Sequence, residues 1–341
     1  MADETLCMVG APGSPYSRKL RAILRYRRIA YTWVTRGTPE AKALPKPKVQ
    51  LLPQLILPGP DGAPEARTDT TPLVRELEKM YSGRSVVPSD PVIAFLDALV
   101  EDYGDEWLTK CMFHYRWAYA ADIDKAARIL PRWFASEMPE ETAVAMGQQF
   151  AERQIERLWV VGSNETTGPV IEASYHRLLG CLDTRLTGSR FVMGARPGSA
   201  DFALYGQLTQ LATFDPTPAA VALAEAPRVA AWVDLVEELS GLEPEERHWL
   251  ARSNARECLG GLLEEIGRVY VPFLLANAEA LAKGADQVDC TIDGEAWVQR
   301  PFPYQGKCLG WLREGRAALS TADQSDLDAA LAGTGCEALF A

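Results

Sequence analysis

The sequence predicts an α/β unit at the N-terminus, an all-helical unit behind it, and a mostly helical extension with one β-hairpin. Three observations carry this. Up to about residue 82, short β-forming runs and two helical stretches follow the order β-α-β, then β-β-α. From about residue 92 the apolar residues recur at helical spacing. Between 288 and 298, apolar and polar residues alternate about an Asp-Gly pair, a hairpin signature. A length of 341 residues suits two domains and more. The expected division is 1–82, 92–241 and an extension from 242 to 341 packed on the helical unit.

The elements follow in order. "LCMVG" (6–10) is a short apolar strand. Leu20, Ile23 and Leu24 mark one face of the first helix. "AYTWV" (30–34) is rich in β-formers, and "QLIL" (54–57) is a third strand. The Pro/Lys-rich connector between them has room for one irregular helix. "PGPDGAP" (58–64) reads as a turn, and "EART" (65–68) as a short edge strand. "TPLVRELEKMY" (71–81) is a helix with Pro72 in its first turn, where a missing N–H costs nothing. "SGRSVVPSDP" (82–91) has turn composition and marks a boundary.

Beyond it, Leu96, Val100, Tyr103, Trp107, Cys111, His114 and Ala118 predict one face of a single long helix. Helices are expected over about 141–160, around 171–186, from the turn at "GARPGSADFAL" onward, and over 227–241. The last has proline near its start and glycine at its end. Residues 246–283 read as helical, interrupted by Pro272, and two short helices follow "RPFPYQ".

Composition narrows the function. Hydrophobic residues are 47% and charged residues 24%, a globular mixture. The formal net charge of -11 argues against nonspecific nucleic-acid binding and against a basic membrane patch. No apolar run reaches membrane-spanning length. "MADETLCMVG" lacks the pattern of a secretory signal, so a cytoplasmic protein is expected. Seven dispersed cysteines, without a CxxC pair, suit reduced thiols. Three histidines, far apart, make a His-based metal site improbable, and no metal is expected.

"GSPYSRKLRAIL" (13–24) has the layout of a dithiol redox site at a helix mouth, with Ser14 and Ser17 where cysteines would stand. Three other stretches belong with it: "LLPQL" (51–55), "TDTTPL" (68–73) and "GARPGSADFAL" (194–204). In this order and spacing, residues 1–241 resemble the glutathione transferase superfamily, and the whole chain resembles its longer bacterial members. The resemblance implies a thioredoxin-like N-terminal domain followed by an all-helical one. It implies glutathione as co-substrate, an apolar electrophile as partner, a detoxifying role and a homodimer.

The resemblance also implies roles for residues. Ser14 would donate to the glutathione thiolate at the positive end of a helix, since a free thiol is mostly protonated at neutral pH. Read from the stretch alone, Ser14 is better explained as a helix cap. Ser17 is a weaker second donor, and Tyr16 could face the site. Pro53, in the cis form, would let Leu52 pair with the cysteinyl backbone of glutathione. Asp69 would take the γ-glutamyl ammonium, and Thr70 with its neighbouring free N–H groups the carboxylate. Gln50 is the candidate for the glycine carboxylate.

His114, Tyr115 and Trp117, in "FHYRWAY", are candidates for the electrophile pocket, although His114 also reads as a core histidine. Asp201 reads as structural. At 198 the chain departs from the family pattern, with glycine at the usual Ser/Thr cap. Trp297, Phe302 and Tyr304 mark where the extension would cover the pocket. Two alternatives stand beside this reading. One is glutathione-dependent peroxidase or thiol–disulfide reductase chemistry, of which exchange through a protein thiol is disfavoured because Cys7, the sole cysteine before residue 82, lies in a strand. The other is a non-catalytic binding or scaffold protein.

Overall fold

The computed structural model describes residues 5–341. A four-stranded sheet forms from β1 (Leu6–Gly10), β2 (Tyr31–Thr35), β3 (Gln54–Pro58) and β4 (Pro64–Arg67), in the order β2-β1-β3-β4. β1 runs parallel to β2 and antiparallel to β3, with Cys7 opposite Ile56. Helices α1 (Pro15–Tyr26) and α3 (Thr70–Met80) join this sheet, and α2 (Pro39–Ala43) fills the connector. Leu20, Leu24, Leu73 and Leu77 from the helices meet Met8, Leu55 and Leu57 from the strands in one small core. Both helices have their apolar residues three and four apart, so each turns one stripe to the sheet.

The long helix expected through 96–118 is two, α4 (Pro91–Glu106) and α5 (Leu108–Ala118), with Trp107 between them. The expected face is buried from Leu96 to His114, but Ala118 is exposed. Trp107 is fully buried among Phe273, Tyr270 and Trp297, and its indole N–H donates to Ser174 at 2.8 Å. These partners lie far along the chain, so local periodicity did not report the break. Two helices went unassigned, α6 (Ala120–Arg132) and α10 (Pro216–Glu225). The others are α7 (Glu140–Ile155), α8 (Gly168–Thr187), α9 (Ser199–Leu211) and α11 (Pro227–Val236). Leu158–Val161 forms a separate 3-10 turn where α7 was expected to continue.

The start of α9 explains the glycine at 198. A Cβ there would come within 2.2 Å of Asp97 Oδ1. That carboxylate, from α4, accepts from the Ala200 N–H at 3.0 Å. A carboxylate from a neighbouring helix thus does what a Ser or Thr cap would do. Asp201 is structural, as expected. It accepts from the backbone N–H groups of Val192, Met193 and Gly198, and burial raises its pKa to about 6.

In the extension, regular helix begins later than expected, with α12 (Ala255–Glu265). A π turn (Ile266–Tyr270) then leads into α13 (Val271–Lys283). Pro272 supplies no N–H, and the Val271 N–H donates back to Ile266 across the wider turn, so the helix continues instead of ending. β5 (Val288–Ile292) and β6 (Glu295–Gln299) form the expected hairpin, with Asp293 and Gly294 both at positive φ in its turn. Helices α14 (Pro303–Ala317) and α15 (Thr321–Leu331) close the chain against α4. The main hydrophobic core runs unbroken from Ala22 in α1 to Leu339 near the C-terminus.

Candidate functional site

A cavity of about 430 Å³ lies where the sheet unit, α4, α5 and the extension meet. From the sheet unit it is lined by Tyr16, Leu52, Asp69, Thr70 and Thr71. Leu52 precedes Pro53, and that peptide bond is cis. Asp69 has φ 78°, a conformation few non-glycine residues adopt, and Asp is among those that tolerate it. Thr70 opens α3 beside it and is buried.

The opposite wall comes from α4 and α5. Asp102, Asp105, Glu106, Thr109 and Lys110 recur three and four apart and face the cavity together. Sequence reasoning missed this stripe. Its signal was present in the spacing, but a polar stripe on a helix ordinarily faces water. Here α1 and the extension cover it. Burial raises the pKa of Glu106 to about 8, with help from the charges of Asp102 and Asp105. It raises Asp102 to about 6 and Asp105 to about 7. Burial lowers Lys110 to about 7.

Lys19 of α1 reaches across to this wall. It is 1% exposed and donates to Glu101 at 2.6 Å and Asp105 at 2.5 Å. Burial pulls its pKa down, but the two carboxylates outweigh that and raise it. Tyr16 donates its hydroxyl to the Asp105 carbonyl at 2.7 Å, and burial raises its pKa well above the ordinary phenol value. Both contacts fasten α1 to α4 behind the cavity.

The extension forms the third wall. Phe302, Tyr304, Gln305 and Trp311 line the cavity. Asn277 holds the strand-to-helix turn in place, accepting from the Phe302 N–H at 2.8 Å and donating to its carbonyl at 3.0 Å. Tyr304 donates to Asp69 Oδ2 at 2.7 Å. Gln305 donates to the carbonyl and carboxylate of Glu106 at 3.3 and 3.1 Å. Trp297 sits apart from the cavity, fully buried 5.2 Å from Trp107.

The remaining candidates fall elsewhere. Ser14 caps α1, accepting from the Ser17 N–H at 3.2 Å, and is half-buried outside the cavity lining. The turn before it is tightly held. Arg116 donates to the Gly13 carbonyl at 3.3 Å, and a Cβ on Gly13 would come within 2.6 Å of Leu130. Ser17 is fully buried and accepts from the Ala11 N–H at 3.3 Å. Gln50 is exposed, with its amide near the Pro47 carbonyl at 3.4 Å, and Pro53 is buried beneath the cavity edge.

None of His114, Tyr115 and Trp117 lines the cavity. His114 is buried between Ser163 and Glu172 at 2.8 and 3.0 Å, the core placement that its apolar stripe suggested. Tyr115 stacks on Tyr119 in the main core, and Trp117 packs with Phe150 in a side cluster. Tyr115 packs on Tyr175 of α8 and Trp117 lies with Ala126 of α6, so both turn into the core. Cys7 is half-buried, and burial raises its thiol pKa, so it gains no thiolate character.

Comparisons with known proteins follow the same outline. Residues 8–85 match the model of the glutathione S-transferase N-terminal domain, and residues 148–235 that of the C-terminal domain. No curated protein matches the sequence. Among solved structures, a beta-etherase from Sphingobium is similar over 71% of this chain and 96% of its own, at 18% identity and TM-score 0.47. A glutathione transferase from Pseudomonas putida, with glutathione disulfide bound, is 17% identical over 69% of this chain and 92% of its own, with TM-score 0.42. One from Burkholderia graminis, with two glutathione molecules bound per subunit, is 18% identical over 68% and 83%, with TM-score 0.43. The two domain models meet in their expected order on a sheet unit followed by helices: the chain carries the N-terminal and C-terminal domains of the glutathione S-transferase superfamily.

Proposed function

We propose that the protein is a glutathione transferase that binds glutathione along the sheet-unit edge of the cavity. The observation that supports this best is the meeting of Leu52 at a cis proline with Asp69 and Thr70 at the start of α3. The Leu52 backbone suits an extended peptide, and the start of α3 offers free N–H groups to a carboxylate. Asp69 gives one oxygen to Tyr304 and keeps the other for the γ-glutamyl ammonium. Ser14 is the proposed thiolate donor. Its oxygen accepts from Ser17, which leaves its own proton to donate, and it stands at the positive end of α1. Tyr16, on the cavity wall, orients α1 through Asp105. The same reading extends to a cytoplasmic homodimer with a role in detoxification.

Binding is tested by calorimetry with glutathione, where absence of any heat would favour a scaffold. Chemistry is tested with a chromogenic electrophile. Ser14→Ala is expected to lower kcat/KM by about tenfold to a thousandfold, the range for a lost oxyanion donor. Full activity in that variant removes Ser14 from the mechanism, and Tyr16→Phe then becomes the variant to measure.

A further inference from the structure

The cavity has two kinds of wall. Val49, Leu51, Val160, Val161, Phe302 and Trp311 are apolar. Facing them are four carboxylates, Asp69, Asp102, Asp105 and Glu106. Lys110 is the one basic side chain among the lining residues, and its donors are engaged. Nζ donates to the Val161 carbonyl at 3.1 Å and to Gln299 at 3.0 Å, and lies 4.1 Å from the Phe273 ring centre.

The acceptors are less well served. Lys19 and Thr71 both donate to Asp105 Oδ2, at 2.5 and 3.5 Å, whereas Oδ1 is buried without a donor. Gln305 is 3% exposed, spends its amide N–H groups on Glu106, and leaves Oε1 buried without a donor. A buried acceptor left unpaired loses its hydration with nothing in exchange. Two of them, on residues lining one acidic cavity, suit a ligand that donates hydrogen bonds and carries positive charge.

We propose that this end of the cavity binds an organic cation, a primary ammonium or guanidinium on an apolar body, with Asp105, Glu106 and Gln305 as its acceptors. A charge-assisted bond is about twice as strong as a neutral one. Burial, with help from the neighbouring carboxylates, holds protons on these acids, and an arriving cation displaces them and restores charge pairing. The apolar walls take the body of the ligand. Glutathione's own ammonium is already assigned to Asp69, so the cation belongs to the second substrate. That last step rests on the glutathione reading; the cation site does not.

The test is calorimetry on the full chain with phenethylamine and with phenethyl alcohol, each with and without glutathione. The amine is expected to bind at least about tenfold tighter than the alcohol, and Glu106→Gln to remove that preference. Titration in buffers of different ionisation enthalpy gives a second readout that needs no variant. The wild type should release protons on binding the amine and none on binding the alcohol. The titratable groups facing Glu106 are Asp102, Asp105, Lys110, Tyr16, Tyr270, Cys308, Asp69 and Tyr304, and Asp102 and Asp105, whose pKa values burial also raises, release protons in the same direction. Equal binding of amine and alcohol, no binding of either, or no proton release overturns the proposal. Amine binding without glutathione binding would leave the cation site standing and remove the transferase reading. Glutathione binding without amine binding would do the reverse.

Discussion

Glu106 holds its proton because two more carboxylates and little water surround it, and this has a consequence for stability. Its pKa is raised from 4.5 to about 8 in the folded chain. Between those values the unfolded chain has lost a proton that the folded chain keeps, so stability falls as pH rises and levels off above about 8. Glutamine does not titrate. Glu106→Gln should therefore melt higher than the wild type at pH 8.5, by about 1–3 kcal/mol after relaxation, and match it near pH 4.5. Equal melts at both pH values would refute the buried acid. Tyr304 carries a separate expectation. Its bond to Asp69 orients the carboxylate proposed for the γ-glutamyl ammonium. Tyr304→Phe should raise the KM for glutathione about fivefold and leave kcat unchanged, the pattern of a lost binding contact. A fall in kcat at unchanged KM would place Tyr304 in the chemistry instead.

At the scale of elements, the start of α9 shows one helix supplying another's cap. Gly198→Ala would push a methyl into Asp97 and dislodge the carboxylate that caps Ala200. A loss of about 1–3 kcal/mol in urea unfolding is expected, as for an overpacked site. A wild-type midpoint would mean that Asp97 moves freely. Most elements were legible in the sequence because each carries its own signal: Pro15 after Ser14, the alternation in β5, the Asp-Gly turn. The break at Trp107 was not, because the aromatic rings that hold it come from residues 270–297. Helix α6 was overlooked because "AADIDKAARILPR" follows closely on an aromatic-rich run that reads as continuous helix.

At the scale of the whole molecule, the sheet-unit part of the site was legible and the rest was not. Leu52, Asp69 and Thr70 sit in motifs, and motifs are local. Glu106, Lys110 and Gln305 meet only because α14 lies across α4, a fact of packing between segments about two hundred residues apart. His114, Tyr115 and Trp117 were plausible by composition, but aromatic residues on a helix more often fill a core. The extension is part of that core. Removing residues 285–341 would strip Trp297 from Trp107 and uncover the acidic stripe. The truncated chain should bind a hydrophobic dye strongly and lose its cooperative melt. A sharp melt at the wild-type temperature would make the extension a separable appendage.

The bond between Tyr304 and Asp69 joins residues 235 positions apart. Ribosomes add about 5–20 residues per second, so Asp69 emerges on the order of 10–50 s before its partner is made. A sheet unit can fold well within that interval. Throughout it, the sheet-unit edge of the cavity and the acid stripe of α4 stand open to water, and the stripe stays ionised. The cavity closes, and its acids take up protons, only as the last helices dock. The site is the final part of this protein to come into being, and a chain cut short before residue 304 never owns one.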